Sequence, residues 1–129
     1  MTLVSHQPAE TLAALAALAA AAGPPGTTEL PGAWRWRVHR RMAAVRDALL
    51  AETAGSADGW LAARGGTAYR SREVLLTRLG VLGARVLTET DLAPAHRELD
   101  RLVVDIAHHV QRLHDLAYDE VELELGGSE

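Results

Sequence analysis

The chain has 129 residues, a formal net charge of −4 and no cysteine. This length suits one domain with a single core. The lack of cysteine excludes disulfides, thiolate metal ligands and thiol nucleophiles, and the acidic balance disfavours nucleic acid or an anionic membrane as a partner of the whole surface.

The first predicted element is an alanine-rich helix that begins near Pro8 and ends at Ala22. Leu12, Leu15 and Leu18 fall on one stripe of this helix and give it a face to bury. No lysine or arginine precedes the segment, so it lacks the charged start of a secretory signal, and it is too short to cross a bilayer. We therefore expect a cytoplasmic protein with no membrane association.

A linker over residues 23–32, GPPGTTELPG, follows the first helix and contains three prolines. Proline stiffens such a segment, so the linker is typical of a hinge. The sequence thus predicts three parts: an N-terminal helix with its hinge over residues 1–32, a helical bundle core over 33–118, and an acidic tail over 119–129.

Two amphipathic helices are predicted next, over residues 33–53 and 68–87. Their apolar side chains recur at helical spacing, which predicts that each helix buries one face. Gly80 and Gly83 lie inside the second of these helices, where we expect a neighbouring helix to approach closely. The predicted inner faces consist of Trp34, Val38, Met42, Val45 and Leu49, and of Leu75, Leu79, Leu82 and Val86.

The longest predicted helix runs from Pro94 to Tyr118, after a capping sequence at Thr90 and Asp91. Its apolar positions follow helical spacing and predict a single buried stripe. These positions are Leu99, Leu102, Val103, Ile106, Val110, Leu113 and Ala117.

The last residues, 118–127, read YDEVELELGG and alternate apolar with acidic residues. This period of two is typical of a strand, and acidic residues are unfavourable at a helix C-terminus. The pattern therefore predicts a helix end near Tyr118 and an acidic, strand-like tail. A single strand has no partner in a helical chain, so the segment would stay a solvated tail, continue as a frayed helix, or pair through Val121, Leu123 and Leu125 with a copy of itself or with the edge of another protein.

A metal site is one alternative for the histidine-rich fourth helix. Glu98, Asp105 and His109 share one flank and could bind iron, manganese or zinc. His114 and Asp119 resemble the last helix of hemerythrin-like proteins in their spacing. That resemblance implies a metal-binding bundle of the hemerythrin or di-iron type, although the other helices lack the histidine pairs of that family.

A ribonuclease is a further alternative, because Arg101 and His108 resemble the Arg-x4-6-His pattern of the helical HEPN ribonucleases. In that family such a pair handles phosphate and proton transfer. Here Leu102 follows the arginine where the family usually has a polar residue. The helical angles also place both side chains on the outer side of the helix.

The segment WRWRVHRR, residues 34–41, offers a binding surface. Trp34 belongs to the buried stripe, whereas Trp36 falls almost opposite to it among arginines that include Arg37, Arg40 and Arg41. An exposed indole beside guanidinium groups suits a partner's pocket. The alternative without a binding function is a solvated helix start whose Trp36 packs on the hinge or on the first helix. Among binding functions, the pattern favours contact with a protein over contact with nucleic acid.

Together these patterns predict an all-α, small antiparallel helical bundle with an acidic tail. The favoured function is a non-enzymatic interaction or regulatory module that binds a protein partner or a second copy of itself, without a cofactor. The expected contact residues are Trp36, Arg37, Arg40, Arg41, Val121, Leu123 and Leu125.

Overall fold

In a computed structural model the protein forms four helices, and no strand occurs in the part of the chain that the structure describes. That part comprises residues 3–23, 30–54 and 66–127, with side chains described over 9–23, at 30, and over 32–51 and 70–115. The helices are α1 (Leu3–Ala21), α2 (Pro31–Ala54), α3 (Gly66–Thr88) and α4 (Ala93–Gly127).

The helices pack as a closed ring in which consecutive helices touch and α1 also packs on α4. Between α3 and α4, Ser71 bonds Arg112 at 3.0 Å and Arg78 bonds Asp105 at 2.7 Å, so residue numbers rise along one helix as they fall along the other. The start of α2 lies at the end of α1, where Trp34 donates to the Gly23 carbonyl. The predicted all-α, antiparallel bundle is confirmed.

The predicted inner faces of α2 and α3 are buried in full, and they meet the central apolar residues of α4 in one core. Helical spacing alone predicted these buried faces correctly, because each helix turns its apolar stripe towards the centre of the four-helix ring. The buried apolar residues of α4 are Ala95, Leu99, Leu102, Ile106 and Val110.

Helix α1 differs in part from its prediction. It begins at Leu3, so Pro8 is an internal residue that forgoes one backbone hydrogen bond, whereas the prediction placed it at the helix start. Leu15 and Leu18 join the core, but Leu12 is 48% exposed. The division of the chain at residue 32 stays a prediction.

The predicted helix end near Tyr118 and the strand-like tail are wrong, because α4 continues to Gly127. Two physical effects explain the difference. Glu and Leu favour helices, and extending an existing helix avoids the cost of nucleation. Val121 and Leu125, four residues apart, share a helical face as well as the parity of a strand.

The start of α4 follows the predicted capping sequence. The Ala93 N–H donates to Oδ1 of Asp91 at 3.1 Å, and the His96 N–H donates to the Leu92 carbonyl at 2.8 Å. The carboxylate thereby satisfies one of the N–H groups that a helix start leaves without an intrahelical acceptor. No helix within the described ranges is long and apolar enough to cross a membrane.

The two glycines of α3 have different surroundings. A Cβ added at Gly83 would lie 4.0 Å from both His39 Nε2 and Met42 Cε of α2, which is ordinary contact. A Cβ added at Gly80 would meet no atom within 4 Å. The predicted close approach of a helix is therefore wrong at Gly80, which faces outward.

Replacing Gly80 with alanine should raise the free energy of unfolding by about 1 kcal/mol, because glycine is costly inside a helix and no atom obstructs the new methyl group. Urea denaturation monitored by circular dichroism measures the change. Ala84→Gly, at an exposed position on the same helix, is the matched control and should lower stability by a similar amount. A destabilised Gly80→Ala variant would contradict the prediction.

Candidate functional site

The first turns of α2 expose an aromatic side chain. Trp36 is 59% exposed, although Trp34, two residues earlier, is only 3% exposed. The indole of Trp36 contacts the His39 ring edge to face, with ring centroids 5.7 Å apart and planes at 83°. Tryptophan is highly buried on average in folded proteins, so an indole held at the surface is an unusual feature.

The arginines around Trp36 divide into two pairs. Arg35 donates to the Val86 carbonyl at 3.1 Å, and Arg37 donates to the Ala21 carbonyl at 3.4 Å. Each guanidinium group therefore hydrogen-bonds a carbonyl near the C-terminal end of a neighbouring helix. Arg40 and Arg41 are exposed. Arg37, a predicted contact residue, is thus half-buried and bound within the chain.

Arg40 lies about 40° around α2 from Trp36 and adds positive charge beside the exposed indole, whereas Arg41 lies about 140° around the helix. Among the side chains that the structure describes, neither guanidinium forms an ion pair. No acidic residue occurs between Glu29 and Asp47 in the sequence. We call the surface formed by Trp36, His39 and Arg40, with Arg41 at its margin, the Trp36 face.

Three side chains meet the end of α1, and the sequence patterns did not reveal them. Trp34 Nε1 donates to the Gly23 carbonyl at 2.7 Å, and His96 Nε2 donates to the Ala22 carbonyl at 2.6 Å. The Trp34 and His96 rings are stacked, with centroids 6.5 Å apart and planes at 18°. With the bond from Arg37, these contacts supply donors to carbonyls that a helix C-terminus leaves without intrahelical partners.

The predicted metal ligands of α4 have separate surroundings. Asp105 accepts from Arg78 of α3 at 2.7 Å, and Glu98 accepts from Arg101 at 3.1 Å. His109 is fully buried. Within the described part of the chain, no three His, Asp or Glu side chains form a group able to hold a metal ion.

The remaining candidates for chemistry lie on outer surfaces of α4. The Arg101 side chain is 72% exposed, and His108 is exposed as well. His114 is exposed, whereas the side chain of Asp119 lies outside the described residues. The same holds for the side chains of the predicted contact residues Val121, Leu123 and Leu125, so only their helical backbone is established.

No protein-family model, curated protein or solved structure matches this chain. Its own side chains are therefore the basis for inferring a function. The Trp36 face combines an exposed indole with two arginines that no described carboxylate neutralises. Such a combination is typical of the anchor residues at protein interfaces, where Trp and Arg are enriched.

Proposed function

We propose that this chain is a non-enzymatic interaction or regulatory module that binds a protein partner through the Trp36 face. The observation that carries the proposal is the 59% exposure of Trp36 at the start of a packed helix. The indole offers a large apolar contact area on a rigid element, and burial of that area in a partner's pocket would be favourable.

The surroundings of Trp36 support a protein partner. Its contact with His39 restricts the ring, so less conformational freedom is lost on binding than for a freely rotating side chain. Arg40 lies one turn further along the same side of the helix, where it would orient an acidic partner, and the exposed charge of Arg41 would help to steer that partner. The net charge of −4 weighs against a nucleic acid, because the chain as a whole carries more acidic than basic residues.

Site-specific photo-crosslinking in the source cells tests the proposal. A photoreactive amino acid replaces Trp36 in one variant and Val81 in the control. Val81 lies on α3 and is also 59% exposed, so the two probes have matched access to solvent. We expect position 36 to give a discrete adduct with one protein and position 81 to give none.

The crosslinked product identifies the partner by mass spectrometry, and Arg40→Ala with Arg41→Ala should lower its yield because the guanidinium groups orient the partner. Equal adduct patterns from positions 36 and 81 would show that the Trp36 face has no preference for a partner. Such a result, or the absence of any adduct at position 36, would overturn the proposal.

A further inference from the structure

Helix α2 carries a second apolar stripe on the side that is turned away from the core. Trp36, Ala43 and Leu50 are seven residues apart, a spacing that places each within about 20° of the one before it around the helix. Trp36 is 59% exposed, Leu50 is 42% exposed, and Ala43 is exposed as well. We call these three residues the outer stripe of α2. Apolar residues at heptad spacing are typical of a helix that packs on another helix.

Two exposed charges of opposite sign border the outer stripe on one side. Arg40 lies three residues before Ala43, and Asp47 lies four residues after it. The two charges are about 20° apart around α2, so they share one flank. Their separation of seven residues exceeds the three or four residues at which side chains of one helix pair. Among the described side chains, neither Arg40 nor Asp47 forms an ion pair.

The outer stripe is complementary to itself when a second copy of α2 lies antiparallel to the first. With a two-fold axis at Ala43, Trp36 is level with Leu50 of the second copy, because both lie seven positions from the axis. Arg40 is then within about 1.5 Å, measured along the helix, of the level of Asp47 of the second copy. The two-fold axis keeps both charges on the same flank and repeats each contact.

The surroundings of Ala43 leave room for a second helix. A Cβ added at Gly83 of α3 would lie 4.0 Å from His39 Nε2, and this contact places Gly80 close to the level of Ala43 in the antiparallel pair of α2 and α3. A Cβ at Gly80 would meet no atom within 4 Å, so no side chain of α3 covers the middle of the outer stripe. The methyl group of Ala43 is small enough to let two helices approach to about 8–10 Å between their axes.

We propose that two copies of this chain associate through the outer stripe of α2, with their α2 helices antiparallel about Ala43. This inference rests on the proposed function and names the partner as a second copy of the chain. The indole of Trp36 packs on Leu50 of the second copy, and Arg40 pairs with Asp47 of the second copy. Both contacts recur across the axis, so the assembly closes as a dimer. Apolar burial supplies most of the affinity, and the ion pairs select the antiparallel register.

Single cysteines test this register. The chain has no cysteine of its own, so one introduced thiol can form a disulfide only with a second copy. In Ala43→Cys the two thiols lie beside the two-fold axis, and mild oxidation should convert most of the protein to a covalent dimer on a non-reducing gel. Ala51→Cys is the matched control, because this exposed alanine of α2 lies eight positions from the axis and about 24 Å along the helix from its equivalent. It should stay unlinked.

A charge exchange tests the ion pairs by sedimentation velocity over a range of protein concentrations. Arg40→Asp alone and Asp47→Arg alone should each weaken dimerisation by at least about tenfold, because like charges then face each other across the axis. The double variant, Arg40→Asp with Asp47→Arg, should recover the dimer, because opposite charges meet again. Arg97→Asp, an identical reversal at an exposed arginine of α4, is the control and should leave dimerisation unchanged.

A wild-type protein that stays monomeric, a cysteine at position 43 that links no better than one at position 51, or a double variant as weak as the single variants would each overturn the inference. These outcomes are distinct from failure of the proposed function. If position 36 crosslinks to a different protein while the chain is monomeric, the interaction surface stands and the self-association falls. An adduct between position 36 and α2 of a second copy would support both.

Discussion

Replacing Trp34 with alanine should lower the free energy of unfolding by about 3–5 kcal/mol, a large share of the stability of an ordinary domain. Trp34 is 3% exposed, its Nε1 donates to the Gly23 carbonyl at 2.7 Å, and its ring stacks on His96. The substitution leaves a cavity where α1, α2 and α4 meet. It also removes the donor that satisfies the Gly23 carbonyl.

Urea denaturation monitored by far-ultraviolet circular dichroism measures this loss. Trp34→Phe separates the hydrogen-bond contribution from the packing contribution, because phenylalanine keeps an aromatic ring but lacks the N–H donor. This variant should lose about 1 kcal/mol of stability from the hydrogen bond, plus a smaller amount from packing. Trp36→Ala is the matched control, an identical substitution two residues away at a site that is 59% exposed, with an expected change within about 0.5 kcal/mol. Similar losses for the two alanine variants would show that Trp34 is not a core residue.

The contrast between Trp34 and Trp36 was predictable from the sequence, because only helical spacing is needed to place them on opposite sides of α2. The inner faces of α2 and α3 and the centre of α4 followed from the same rule. In each case the apolar residues define one stripe, and a bundle has one interior to receive it. Arg40 and Arg41 are exposed because they lie outside the buried stripe of α2.

The burial of His109 was not predicted by helical spacing. Its helical angle places it about 60° from Ile106, which is consistent with a position on the flank of the stripe. In the structure His109 is fully buried, because α4 packs on both α1 and α3 and thus buries a wider arc than the stripe alone. Asp105, about 100° from Ile106 on the same flank, remains near the surface and pairs with Arg78.

The contacts at the end of α1 depend on residues far apart in the chain, and no local pattern reveals them. His96 and the Ala22 carbonyl are separated by 74 positions, and Arg35 and the Val86 carbonyl by 51. The sequence shows that a buried indole needs an acceptor and that a helix end needs donors. Only the packing of the four helices determines which side chains hydrogen-bond which carbonyls.

The packing of the helices also explains why the prediction of a strand failed for the segment over residues 118–127. Its alternating pattern spans a few residues and fits a strand, but in the structure it continues a helix that begins at Ala93. Hydrogen bonds then extend one residue at a time from a segment already ordered by packing, without the cost of starting a helix. A two-residue period in a short segment gives no information about whether an ordered helix precedes that segment.

Replacing Leu18 with alanine should lower the free energy of unfolding by about 2–5 kcal/mol, because Leu18 of α1 is fully buried in the core shared by all four helices. Leu12→Ala, an identical substitution on α1 at a site that is 48% exposed, should change stability by less than about 1 kcal/mol. Urea denaturation of both variants by circular dichroism provides the comparison. An alanine-rich helix of this length is marginal alone in water, so α1 is expected to unfold together with the bundle. A second transition at low urea, shifted by Leu18→Ala while the main transition stays in place, would instead show that residues 1–32 form a separable arm.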